Sequence, residues 1–336
     1  MPVEVITARP LNAETPRDAL RATITPADSF FIRNHFDEPT LAAESYRLRI
    51  TQGSAVLREF ALADLERLPQ ERVTCVLECA GNGRTHVVPR PEGVPWGDRA
   101  IGCATWEGPS LSQVLRSVPP SRDVVEVVFV GADHGIAANV ESSFERSMPA
   151  DAALRSGPIL ALRMNGAPLP KSHGAPLRLV VPGWYGMASV KWLIEVRYES
   201  APFTGFFQKT EYRYDEATPV TEVRTKSLLL RPAPGEEVAE GRVTLEGRAW
   251  SGRGIREVHV QVDYDAWRST ELGLGEGPFD WRTWRFAVEL TRGTHRIRAR
   301  AQNTSGEWQP LDPVANRRGY GYNTADAVEV VVGIRR

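Results

Sequence analysis

Residues 73–84 read VTCVLECAGNGR. The first seven, Val73 to Cys79, are mostly β-branched, apolar or cysteine residues, the composition of a buried strand. The chain then turns through small residues, Ala80, Gly81 and Gly83, before reaching the guanidinium of Arg84. A thiolate at a strand end is a soft ligand able to hold a metal. Small residues let a bulky group approach, and successive amide N–H groups can form an anion-binding nest. By residue chemistry alone, a buried cysteine before a glycine turn is more often a small core residue. Two further runs share the pattern: Val124 to Val130 ends at Gly131, and Leu177 to Val181 at Gly183 and Gly186. Strands that end in glycine loops allow backbone to approach a ligand closely, which suits a cofactor site.

Working outward, Phe30 to Tyr198 mixes such runs with short helix-like pieces at Leu62 to Leu68, Leu111 to Val118 and Ser143 to Leu154, and reads as one α+β domain. Pro219 to Gly241 holds Pro232, Pro234 and Gly235 with little periodicity and is read as containing the linker. Beyond it, Arg242 to Trp250, Ile255 to Asp263, Trp284 to Leu290, His295 to Gln302 and Ala327 to Val332 alternate apolar and polar residues. That is the period of strands half-buried in a sandwich, and their spacing suggests an immunoglobulin-like fold. The expected division is therefore a mixed α/β domain over residues 1–218 and a β-sandwich over 219–336.

A length of 336 residues suits two such cores, and 42% hydrophobic with 25% charged residues is an ordinary globular balance. The net charge of -1 argues against a nucleic-acid binder that relies on overall positive charge. No stretch approaches the ~18 to 20 uncharged apolar residues of a membrane span. The start, Met1 to Thr7, lacks a basic segment followed by an apolar one, so a cytoplasmic location is expected, or the periplasm if an export segment has been removed. Three cysteines, Cys75, Cys79 and Cys103, cannot all pair internally, so a disulfide framework is not the organising principle. Cys75 lies four residues before Cys79 on the same strand face and is read as packing.

Several segments together carry a family resemblance. CAGN at Cys79 to Asn82 resembles the cysteine motif of sulfite oxidases and plant nitrate reductases. FFIRNH at Phe30 to His35 is similar to the family's amino-terminal cofactor segment. GVPW at Gly93 to Trp96, GAD at Gly131 to Asp133, MNGAPLPKSHGAPLRLVVPG at Met164 to Gly183 and SVKWL at Ser189 to Leu193 follow in family order. With the sandwich, the resemblance covers nearly the whole chain.

The resemblance implies a molybdenum enzyme with one pterin dithiolene per metal and Cys79 as the protein's ligand. It assigns Asn34, His35, Asp133, His173, Arg178, Ser189 and Lys191 to the pterin and its phosphate. Arginine and lysine neutralise phosphate, histidine can donate a hydrogen bond to it, and a carboxylate can accept from pterin N–H groups. It assigns Arg33, Arg84, Trp96, Tyr212 and Arg318 to the substrate pocket, where several arginines select a small anion. The implied reaction is oxidation of sulfite to sulfate by oxygen-atom transfer. The alternatives are a related molybdenum enzyme reducing nitrate or a sulfoxide, or a non-catalytic cofactor-binding or adhesion protein. No C-x-x-C-H motif for covalent haem occurs, so a separate acceptor such as a cytochrome is implied. The sandwich resembles the family's dimerisation domain, which implies a homodimer. Two departures stand out: Gly83 replaces an arginine common in the animal and plant motif, and Lys209 and Thr210 stand where animal enzymes are richer in arginine.

Overall fold

The computed structural model describes residues 2–155, 157–314 and 316–333. The stretch that opens the sequence reading forms the strand Gln70–Glu78, antiparallel to Ile101–Pro109, with Glu78 opposite Ile101. Arg163–Met164 and Ala167–Pro168 extend this pair into a four-stranded sheet. A five-stranded sheet has the order Ala55–Ala61, Arg47–Gln52, Leu193–Glu199, Glu126–Ala137, Val140–Pro149. Its centre is the parallel pairing of Leu193–Glu199 with Arg47–Gln52. Leu48, Ile50, Val127, Phe129 and Val196 from that sheet share a core with Val76, Ile101 and Cys103 from the first. The short helices Leu62–Arg67 and Leu111–Arg116 contribute Leu65, Leu111, Val114 and Leu115 to it. This is an α+β unit, as the sequence suggests.

Two elements differ. Gly131, read as the turn that ends Val124 to Val130, lies inside the strand Glu126–Ala137. Ser143 to Leu154, read as a helix, is mostly strand: Val140–Pro149 forms a hairpin with Glu126–Ala137, and only Ala150–Leu154 is helical. Phe144, Arg146 and Met148 alternate inward on that strand. A charged residue at one of the three inward positions hides the period of two, and pairing with a neighbour overrides helix propensity.

The carboxyl-terminal unit is an immunoglobulin-like β-sandwich. One sheet runs Lys226–Arg231, Gly241–Trp250, Arg282–Leu290, Glu271–Leu272; the other runs Glu237–Ala239, Ala327–Gly333, Gly293–Asn303, Ile255–Val262, Arg268–Ser269. Leu245, Val258, Val260, Trp284, Ile297 and Val330 fill the space between them. Lys226–Arg231 lies inside the stretch of low periodicity yet pairs with Gly241–Trp250, too short a strand to announce itself. Among the described residues, no helix is long and apolar enough to cross a membrane.

The sandwich is bonded to the first unit at its key strand. Val76 N–H donates to Phe279 O at 2.8 Å, and Gly321 N–H to Ala80 O at 2.7 Å. The Trp281 indole donates to Thr23 O at 2.8 Å and Arg248 Nε to Leu20 O at 3.1 Å. Glu78, almost completely buried, accepts from Trp250 Nε1 of the sandwich at 2.8 Å and from Asn82 Nδ2 of the cysteine loop at 2.8 Å. Lys226 Nζ lies 3.8 Å from the carboxylates of both Glu78 and Asp98.

Two predictions follow from this junction. Trp250→Phe leaves Glu78 Oε2 without a donor and should lower the unfolding free energy by about 1 to 3 kcal/mol, read as a lower urea midpoint. Burial alone would raise the Asp98 pKa, but hydrogen bonding to His86 and the Lys226 charge outweigh it and hold it at about 2. A carboxylate depressed on folding stabilises the fold fully above its unfolded value of roughly 4 and progressively less as pH falls below that. In Asp98→Asn the acid unfolding curve should therefore lose part of its slope between pH ~4 and ~2.

Candidate active site

Cys79 is the first residue past its strand, and the loop it starts is pinned by the backbone. Its N–H donates to Ala100 O at 2.9 Å, and its carbonyl accepts from Asn82 N at 2.9 Å. The Asn82 side chain accepts from Ala100 N at 3.0 Å while donating to Glu78. Cys79 thereby lines a cavity with Arg33, His35, Asp133, His173, Arg178, Ser189, Lys191 and Tyr212. Nine of the thirteen residues singled out in the sequence meet at this one space.

Its electrostatics are those of a site short of negative charge. Burial pushes Lys191 down from the usual ammonium range, with Arg178 adding repulsion, and pushes Arg178 itself down to about 9. Burial raises the Asp133 carboxyl above its ordinary value, against the pull of Lys191. Arg178 Nε and Asp133 Oδ1 are buried without hydrogen-bond partners. Lys191 Nζ donates to Asn34 Oδ1 and, at 2.9 Å, to Ser172 O. Asn34 is thus held behind Lys191, its backbone fixed by Asn12 Oδ1 at 3.0 Å, and does not line the cavity. Ser189 Oγ accepts from Val181 N at 3.0 Å, leaving its proton for a ligand.

His173 departs from the expectation of a phosphate donor. Its Nε2 lies 2.8 Å from Ala27 O, a carbonyl that can only accept, so the proton sits on that nitrogen. Burial lowers its pKa to about 3, so the ring is neutral and its other nitrogen accepts rather than donates.

Tyr212 closes the cavity from the far side. Its backbone is left-handed, φ 45°, a conformation that costs a non-glycine residue roughly 1 to 2 kcal/mol. The hydroxyl is 2.6 Å from His35 Nε2. Burial, then Arg33, holds His35 well below the usual imidazole range, and burial pushes the phenol up to about 12. Both groups are therefore neutral and share one proton between two acceptors. Burial, opposed by the charges of Arg33 and Arg84, also raises the Cys79 thiol.

A second cavity of about 750 Å³ shares Arg33 and His35 with the first and adds Arg84, Glu92, Glu211, Arg318 and Tyr320. Arg84 Nε donates to Arg318 O at 3.0 Å and Nη1 to Val94 O at 2.8 Å. Its third nitrogen lies 2.6 Å from where a Cβ on Gly81 would be, so a side chain at 81 would displace the guanidinium. Gly83, φ 88°, has the Tyr322 ring 2.7 Å from its missing Cβ. The sandwich thus occupies the space of the absent arginine. Lys209 and Thr210 are exposed and line neither cavity.

Trp96 is the residue the structure does not bring in. It is fully buried and lines neither cavity, packing in the apolar cluster with Phe30, Phe31 and Cys79. Cys75 belongs to the same cluster and Cys103 to the other core, because Cys75 pairs with Ala104 and Val76 with Cys103 across the strands. All three thiols are free. Sequence reading missed Arg146: 3% exposed, Nε unpartnered, its guanidinium donates to Phe207 O and lies 5.3 Å from the Tyr212 ring centre. Only the strand pattern of Val140–Pro149 could have pointed it inward.

Among the described residues no three His, Cys, Asp or Glu side chains cluster to hold a metal. A metal beside Cys79 must bring most of its own ligands. Buried cations with unpartnered nitrogens, one free carboxylate oxygen and a single thiol fit a pterin cofactor with a phosphate and a metal-binding end. Cys79 would hold the metal, Arg178, Lys191 and Ser189 the phosphate, and Asp133 the pterin N–H groups.

Comparison with known proteins gives the family. The family model described as oxidoreductase molybdopterin binding domain matches residues 35–207, and that described as Mo-co oxidoreductase dimerisation domain matches 217–332. Mitochondrial sulfite oxidase of Macaca fascicularis is 33% identical over 98% of the chain, which spans 66% of that relative's length. Sulfite oxidase of Gallus gallus is 33% identical over 94% of the chain and 75% of its own. The NADH nitrate reductase of Ulva prolifera is 27% identical over 94% of the chain and 41% of its own. Among solved structures, the sulfane dehydrogenase SoxCD of Paracoccus pantotrophus superposes with a TM-score of 0.83 at 26% identity, covering 96% of this chain and 84% of that one. With both family models matched in order on one chain, and a thiol-bearing cationic cavity in the first unit, the protein belongs to the sulfite oxidase family of molybdopterin-dependent oxidoreductases.

Proposed function

We propose that the protein oxidises sulfite to sulfate and passes two electrons to a separate acceptor, such as a cytochrome, working as a homodimer joined through its sandwich. The observation that carries this reading is a pair of cavities with Arg33 and His35 in both linings: one holds the thiol of Cys79 among buried cations, and the other is lined by Arg84 and Arg318. When bound, the molybdenum cofactor, with one pterin, supplies oxygen-atom transfer and takes up the electron pair. Everything else falls to the chain. Arg33, Arg84 and Arg318 orient a small oxyanion, and a guanidinium about 4 Å from a unit charge contributes roughly 4 kcal/mol at an effective dielectric near 20, before desolvation. The neutral Tyr212 and His35 offer a hydrogen bond at the junction of the two spaces without adding charge. The buried Arg146 beneath the Tyr212 ring helps hold that residue in its left-handed conformation. Water supplies the fourth oxygen of sulfate, and two protons leave with the two electrons.

The reading is tested by molybdenum content together with sulfite-dependent reduction of ferricyanide. Wild type should hold metal and turn over, Cys79→Ser should lose turnover or metal, and Arg84→Ala should raise the KM for sulfite by roughly tenfold or more. Metal without sulfite turnover, but with nitrate-dependent oxidation of a reduced dye, would move the assignment to nitrate reduction, the chemistry named for the Ulva relative. A second expectation concerns the cofactor alone. Lys191→Met should lower the pterin recovered per protein, measured as fluorescence of the oxidised, extracted cofactor, while the apoprotein remains folded. Pterin content equal to wild type would remove Lys191 from the phosphate site.

A further inference from the structure

The outer pocket is not a simple cage of cations. Arg33, Arg84 and Arg318 line it, but so do Glu92 and Glu211. Glu92 is exposed, whereas the Glu211 side chain is only 17% exposed and both its oxygens are committed. Oε1 lies 2.7 Å from Arg318 Nη2, and Oε2 accepts from the Tyr320 hydroxyl at 2.8 Å. The position is fixed from both sides. Glu211 N–H donates to Phe206 O at 3.0 Å, at the end of the helix Phe206–Lys209. Tyr320 stacks on Tyr212, ring centres 5.2 Å apart, and the Arg84 guanidinium lies 5.4 Å from the Tyr320 ring centre.

An oxyanion entering between these arginines meets Glu211 in two ways. It must compete for Arg318, and it sits near a like charge. We propose that Glu211 tunes the affinity of the pocket: by pairing with Arg318 it sets how tightly an oxyanion is held. This rests on the reading of the pocket as the substrate site. Sulfite and sulfate carry similar charge, so arginines alone would hold the product about as firmly as the substrate. Binding that is equally strong before and after reaction slows release without lowering the barrier. A carboxylate paired with one of the arginines weakens both, and so favours release of sulfate.

The test is sulfate binding to the holoenzyme by titration calorimetry at low ionic strength, with molybdenum content matched. Glu211→Gln keeps an acceptor for Tyr320 but removes the charge, and should bind sulfate roughly three- to tenfold more tightly, the size expected for a partly buried ion pair. Glu92→Gln, which removes a charge from the same rim without touching Arg318, should change affinity less than about twofold. In an Arg318→Ala background, Glu211→Gln should have no larger effect than Glu92→Gln. Sulfate affinity in Glu211→Gln that is unchanged or weaker overturns the proposal. So does an equal gain in Glu92→Gln, a gain that persists without Arg318, or failure of both wild type and Glu211→Gln to bind sulfate. The two readings fail separately. Sulfate binding that responds as expected without sulfite turnover removes sulfite as the substrate and keeps Glu211, whereas turnover with unaltered sulfate affinity removes Glu211 alone.

Discussion

The buried carboxylate of Glu78 ties this structure together. Next to Cys79 in sequence, it is 1% exposed and binds three partners from three places: Asn82 in the cysteine loop, Trp250 in the sandwich, and the more distant Lys226 on the strand that opens the sandwich. Burial raises its pKa against the pull of Lys226, so the group is held at a cost that its neighbours offset only in part. Such a charge tolerates little displacement, because losing one donor exposes the full desolvation penalty. The consequence is positional. The loop that presents the thiol cannot shift without breaking the contact that joins the two units.

The cofactor cavity has the opposite arrangement, with too many cations for its anions. Arg178 and Lys191 are buried side by side, and Asp133 is the one carboxylate at the wall. Like charges in one buried space are unfavourable, and the pull of Asp133 offsets the lowering of Lys191 only in part. An anion bound there would offset that repulsion and give the orphan Arg178 nitrogen an acceptor. The lowered Lys191 and Arg178 values and the neutral His173 describe the same shortage of negative charge.

The legible parts of the chain are those in which local pattern and tertiary role coincide. Val73 to Cys79 reads as a strand because Val73, Cys75, Leu77 and Cys79 alternate on one face and pack in one core, while Val76 on the other face packs in a second. The sandwich strands read clearly because one side is less buried, as Val258, Val260 and Val262 alternating with half-buried polar neighbours demonstrate. The site residues were legible only through the order of several motifs, since nothing in the local sequence of His173 or Lys191 tells a buried ligand contact from a surface charge. What stayed hidden is long-range. Asn12, which fixes both Arg33 and Asn34, is an ordinary turn residue in sequence. Arg146 breaks the apolar pattern of its own strand, and Trp96 is buried in the apolar cluster with Cys79 rather than in the wall of either cavity.

Arg318 and Tyr320 reach the outer pocket from a segment that follows the sandwich strand Gly293–Asn303, whereas Arg33, Arg84 and Glu211 come from the first unit. The inner cavity, by contrast, is lined by the first unit alone. The two cavities are thus separable in the architecture: one domain lines the cavity that holds Cys79, and residues of both domains line the cavity of the three arginines. Gly83 makes the division concrete. Its left-handed backbone and the Tyr322 ring against it leave no space for a side chain, so an arginine there would have to push out part of the segment that carries Arg318. The charge that the animal and plant motif places at this position is excluded here by an aromatic ring from the second domain, and the pocket's remaining cations depend on how firmly that domain is seated.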